Sequence, residues 1–179
     1  MAYTSTSDGA GSETLIGTSG ADKATSTASK AILVNSYQGK DELTLTGGAD
    51  SGSIGMGGDA DKVTITTAGA TAVNITLGDD KDTFTSGTVV NSKVTVGGQG
   101  GADTFTIAGD TSSNYGGGQG IDTFGGAIGS RTTVVGGSEN DVFGTSSDGF
   151  GLGPISFVNG QEGKDTIYVD GNAYATVHG

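Results

Sequence analysis

Apolar residues recur in this chain at a fixed distance from aspartate. Asp22, Asp41, Asp61, Asp82, Asp103, Asp122, Asp141 and Asp165 are followed two places later by Ala24, Leu43, Val63, Phe84, Phe105, Phe124, Phe143 and Ile167. The flanking residues are mostly Thr, Lys or Glu, so apolar and polar positions alternate with period two. That is the pattern of a short strand with one inward face. Successive aspartates lie 19, 20, 21, 21, 19, 19 and 24 residues apart, a period near 20 that predicts stacked supersecondary units.

A second strand is predicted in each unit, ending just before a Gly-rich turn. Its candidates are Ile54 and Met56, Ile75 and Leu77, Val94 and Val96, and Thr133 and Val135, with Tyr115 and Val158 in weaker copies. Each unit then reads strand, polar connection, strand, turn. The steady phase of turn and aspartate favours coils laid on one another over hairpins. The predicted fold is all-β, a parallel β-solenoid of about eight coils of roughly 20 residues. Residues 15–170 form the repeats; 1–14 serve as an N-terminal cap or contact arm and 171–179 as a C-terminal cap or tail.

Composition changes the picture in three ways. Leu, Ile, Val and Phe make up just under a fifth of the 179 residues while Gly contributes 36, a balance that would suggest disorder without the repeat. In a narrow coil only two to four large side chains fit inside, so the same scarcity is expected. Phe84, Phe105, Phe124 and Phe143 are then core residues stacked along the rod. The net charge of −12, with a single arginine, Arg131, supplies no cationic surface for nucleic acid or anionic membranes. No apolar run is long enough to span a membrane. There is no Cys and one His, His178, so disulfides, thiol chemistry and most acid–base constellations are not expected. Carboxylates abound, but no aromatic and arginine-lined groove accompanies them, and no P-loop ending follows the glycine runs. The chain is not expected to be an enzyme. Residues 1–14 lack the basic start and apolar centre of an export signal.

The turns carry the chemical signal. Gly117-Gly118-Gln119-Gly120-Ile121-Asp122-Thr123-Phe124 resembles the Gly-Gly-x-Gly-x-Asp-x-apolar repeat of the RTX, or haemolysin-type, calcium-binding β-roll. Looser copies precede Asp22, Asp103, Asp141 and Asp165. The RTX motif recurs every nine residues on both sides of a flattened roll, whereas here it recurs about every 20, so one edge of the rod would resemble that family. The resemblance implies calcium between the turns of successive coils, with Asp22, Asp103, Asp122, Asp141, Asp165, Gly117, Gly118 and Gly120 as the metal-site residues.

Independently of the family, stacked aspartates repel by about 1 kcal/mol per neighbouring pair even in water, and more where partly desolvated. Ca²⁺ would offset this, since it accepts oxygen ligands in flexible geometry. The alternative is an Asx-turn in which each aspartate accepts turn amides and stays solvated. In the shorter early turns Lys62 and Lys81 are candidates to neutralise the column in place of metal.

Thr25, Thr44, Thr64, Thr85 and Thr106 form one aligned column, similar to the threonine arrays of solenoid ice-binding proteins and equally to any solvent-facing β-surface. The ends of a solenoid expose strand edges, so self-association is expected, as a homo-oligomer such as a trimer of side-packed rods, or docking on a larger protein surface. Residues 148–154, with Phe150 and Leu152, form a candidate contact loop. The expected function is a structural protein that decorates a phage capsid or other virion surface. The alternative is an RTX-like extracellular or cell-surface module exported without a signal peptide, as an adhesin, surface-layer or ice-binding piece.

Overall fold

The computed structural model describes residues 3–66, 69–87, 90–170 and 174–179. Met1, Ala2 and residues 171–173 of the proposed caps lie outside the described residues. In chain order the strands are β1 (Thr4–Ser7), β2 (Glu13–Ile16), β3 (Lys23–Ser26), β4 (Ala31–Asn35), β5 (Glu42–Leu45), β6 (Ser51–Gly57) and β7 (Lys62–Ile65). There follow β8 (Val73–Gly78), β9 (Thr83–Ser86), β10 (Thr95–Gly100), β11 (Thr104–Asp110), β12 (Asn114–Gln119), β13 (Thr123–Ile128) and β14 (Thr133–Ser138). The last are β15 (Val142–Phe143), β16 (Phe150–Leu152), β17 (Phe157–Glu162), β18 (Thr166–Ile167), β19 (Val169–Asp170) and β20 (Thr176–His178).

From β2 to β15 the strands alternate between two sheets, as a solenoid requires. One runs β1-β2-β4-β6-β8-β10-β12-β14-β17-β20 and the other β18-β15-β13-β11-β9-β7-β5-β3, with β16 beside β13 and β19 beside β16. Every pairing is parallel except β1 with β2. The protein is an all-β parallel solenoid of about eight coils near 20 residues each. Among the described residues no helix is long and apolar enough to cross a membrane.

Strict register turns repeat positions into rows. On the first sheet Leu15, Val34, Ile54, Ile75, Val96, Tyr115, Val134 and Val158 are aligned and buried. On the second, Leu43, Val63, Phe84, Phe105, Phe124 and Phe143 face them, also buried. Phe105 and Phe124 stack with centroids 4.6 Å apart, and Phe124 and Phe143 with centroids 4.8 Å apart, close to the spacing of the strands themselves. Large and small side chains compensate across the core. Met56 and Leu77 fill the coils that carry Val63 and Phe84, whereas Gly98, Gly117 and Gly136 occupy the matching place opposite Phe105, Phe124 and Phe143.

Three expectations are corrected. In β14 the inward residue is Val134, not Thr133 and Val135, because Val134 is in register with Tyr115. Phe150 is not exposed in a contact loop: it is fully buried in β16, edge-on to Phe143 with centroids 6.3 Å apart, and Leu152 packs against the same core. Lys62 does not face the aspartates. It lies on the outer face of β7, where Lys62 and Lys23 flank Glu42 at 3.9 and 2.7 Å. Exposed pairs of this kind contribute little.

At the N-terminal end β1 pairs antiparallel with β2, and Tyr3 packs on the core with its hydroxyl hydrogen-bonded to Ser36. On the outer face of the second sheet Thr25, Thr44, Thr64, Thr85 and Thr106 do form one row in register.

Candidate functional site: a buried aspartate column

The repeated aspartates lie at the edge of the core, at the start of each second-sheet strand. Period two dictates their direction: an aspartate two residues before an inward Leu, Val or Phe points to the same side. Asp41, Asp61, Asp82, Asp103, Asp122 and Asp141 are each at most 3% exposed. The solvated Asx-turn therefore does not describe them.

One hydrogen bond repeats along the whole column. The backbone N–H of Asp22 donates to Asp41 Oδ1 at 2.7 Å, that of Asp41 to Asp61 at 2.7 Å, and that of Asp61 to Asp82 at 2.6 Å. The pattern continues from Asp82 to Asp103, Asp103 to Asp122, Asp122 to Asp141 and Asp141 to Asp165, at 2.7 to 3.0 Å. Each carboxylate thus takes up an amide of the preceding coil that the turn would otherwise leave without a partner.

The second oxygen is the unusual one. From Asp41 to Asp165 every Oδ2 is buried without a hydrogen-bond partner. In the later coils it rests against a glycine: a Cβ at Gly98, Gly117, Gly136 or Gly160 would come within 3.0 Å of the Oδ2 of Asp103, Asp122, Asp141 or Asp165. Asp22, the first of the column, differs, because Thr18 gives its carboxylate both its N–H and its hydroxyl, at 2.6 and 2.9 Å.

Burial raises the aspartates from Asp41 to Asp141. Desolvation, joined by the neighbouring acids, pushes Asp61, Asp82 and Asp122 up to about 7, and Asp141 up to about 6. Desolvation alone raises Asp103 to about 6, and Asp41 is raised as well. Desolvation also acts upward on Asp22, but the Thr18 bonds prevail and hold it below the usual carboxylate range.

The glycines named with the aspartates have roles in the backbone. Gly118 and Gly120 both have φ of 110°, a region that favours glycine, and each is pressed against the coil before it, at Gln99 and Gly101. Gly117 leaves room for the Asp122 carboxylate. The aspartate side chains alone do not make a calcium cage. The ion needs six to eight oxygens at roughly 2.3–2.6 Å; each Oδ1 already accepts an amide, and in the later coils the free Oδ2 shares its glycine cradle with a carbonyl of the next coil, Gly117 at Asp103, Gly136 at Asp122 and Gly160 at Asp141. Among the described residues no group of three or more His, Cys, Asp or Glu side chains converges.

Sequence reading missed a second polar ladder, on the opposite edge. Asn91 Oδ1 accepts the Ala70 N–H at 2.7 Å, the Asn91 N–H donates to Asp110 Oδ1 at 2.7 Å, and Asn91 Nδ2 donates to Asp110 Oδ2 at 3.1 Å. The Tyr115 hydroxyl also donates to Asp110 Oδ2, and the Thr132 hydroxyl donates to the Asp110 carbonyl at 2.7 Å. The available signal was spacing: Asn91 and Asp110 are 19 residues apart, one coil. Tyr115→Phe should lower stability by about 1–3 kcal/mol in urea denaturation, because Asp110 keeps its burial and loses a donor.

No protein-family model, curated protein or solved structure matches the chain.

Proposed function

We propose that the chain is a non-catalytic structural protein, a rigid acidic rod that decorates or stabilises a larger assembly, with a phage capsid or other virion surface as its setting. The observation that carries this reading is the inward use of the repeated carboxylates. From Asp41 to Asp141 they are buried and tied to the backbone of the preceding coil, where no substrate can meet them. The outer faces instead present rows of threonine and an open trough over Gly97, Gly116 and Val135, whose lining holds one ionisable group, Glu162. A continuous parallel ladder through both sheets supports a mechanical role.

The proposal includes self-association or docking through the last coil, where Tyr168, Val169, Tyr174 and Val177 are exposed. Mass spectrometry across a density gradient of purified particles tests it: the chain should co-sediment with virions in constant ratio to the major capsid protein. Recovery only from culture supernatant would replace this reading with the secreted-module alternative.

A further inference from the structure

The outward face of the first sheet is free of charge over most of its length. Three rows run along it in register: Thr14 to Thr133, Ile16 to Val135, and Tyr37 to Gly137. From β2 to β14 these rows contain no Asp, Glu, Lys or Arg, although the chain has 8 basic and 20 acidic residues. The outward face of the second sheet, by contrast, carries Lys23, Glu42 and Lys62. Copies of a chain of net charge −12 repel one another, and an uncharged face is where they can meet.

The two ends of this face differ in relief. Toward the N-terminal pole Ile16, Leu33 and Tyr37 protrude, at 37, 49 and 50% exposed. In the later coils the same rows sink into the trough, where Gly97, Gly116, Gly118 and Gly137 carry no side chain and Val135 lies beside them. Tyr37 stands in the row of Gly118, and Ile16 in the row of Val135. Knobs and trough thus share rows and differ only in position along the rod.

A two-fold axis along β8 reverses the rod and keeps each row in place. In the sheet order it carries β4 onto β12 and β2 onto β14. Tyr37 of one copy then lies over Gly118 of the other, Ile16 against Val135, and Gly55 against Gly97, each contact occurring twice. We propose that this face is a dimer interface whose occupant is a second copy of the chain, packed face to face and antiparallel, with Tyr37 of each copy seated in the trough of the other. The seven strands from β2 to β14 cover about 34 by 20 Å, roughly 700 Å² per copy, which is within the range of stable complexes. Tyr37 also has φ of 72° in a row where Gly57, Gly78, Gly118 and Gly137 take the left-handed region, so glycine would suit the single rod better than the aromatic ring does. The contact is separate from the last coil and holds whether or not the rod decorates a virion.

Sedimentation equilibrium of the intact chain tests it. The parent should be a dimer, and Tyr37→Gly should weaken association at least about 30-fold. A Cβ at Gly97 meets nothing within 4 Å, so Gly97→Lys keeps the rod and places a cation in the trough. It should sediment as a monomer with the circular dichroism of the parent. Thr76 lies on the axis, so in this cysteine-free chain Thr76→Cys should cross-link to its own copy with a short bis-maleimide, whereas Thr64→Cys on the second sheet should not. A monomeric parent, or a dimer that survives both Tyr37→Gly and Gly97→Lys, would overturn the proposal. So would a dimer lost with Tyr174→Ser alone, which would move the contact to the last coil.

Discussion

Alanine at Gly57 is expected to lower stability by about 3–5 kcal/mol, while alanine one residue later, at Gly58, should change it by less than about 0.5 kcal/mol. Gly57 has φ of 111°, and a Cβ there would fall within 3.0 Å of the carbonyl carbon and oxygen of Tyr37 in the coil beneath. Both obstructing atoms are backbone, fixed by the ladder, so the clash can be relieved only by separating the coils. A Cβ on Gly58 meets nothing within 4 Å. The paired substitutions are matched in composition and in effect on the unfolded chain, so the difference in their urea midpoints reads the close approach directly.

Phe124→Ala should cost a similar amount, about 3–5 kcal/mol. Phe124 is fully buried and stacks on both neighbours, Phe105 at 4.6 Å and Phe143 at 4.8 Å. The cavity opens in the middle of the aromatic row, and each coil contacts mainly the coils beside it, so the lost packing has no other source. Ile167→Ala is the control, because that residue is only partly buried in the last coil. It should cost no more than about half as much. Phe105→Ala combined with Phe124→Ala should be less damaging than the sum of the two, since the stack they share is removed once. Thermal unfolding of the four variants decides this: equal losses at Phe124 and Ile167 would mean the row does not carry the middle of the rod.

The coil period and the inward aromatic row were legible because aspartate and apolar residue recur in a fixed phase. That phase also contained the direction of the aspartates. Two residues before an inward side chain is itself inward, yet acidity suggested turn and solvent. Alternation failed at Thr133-Val134-Val135, where adjacent valines fit either phase and only pairing with Tyr115 decides. Phe150 was misread because it belongs to no repeat position. Its strand fills the longer interval of 24 residues between Asp141 and Asp165 by pairing with β13 and β19. The Asn91 and Asp110 ladder spans a single pair of coils, and two occurrences make no detectable period.

The reversed first strand makes the two poles of the rod inequivalent. Thr4 to Ser7 runs against its neighbour and turns four exposed polar side chains outward, so a copy arriving at that pole meets backbone of opposite sense. It could not continue the parallel hydrogen-bond pattern without a break. The far pole ends in β20, still parallel to its neighbour β17. Edge-to-edge pairing of β20 in one copy with β1 in another, the two rods pointing the same way, would therefore be antiparallel and break the parallel ladder at that junction.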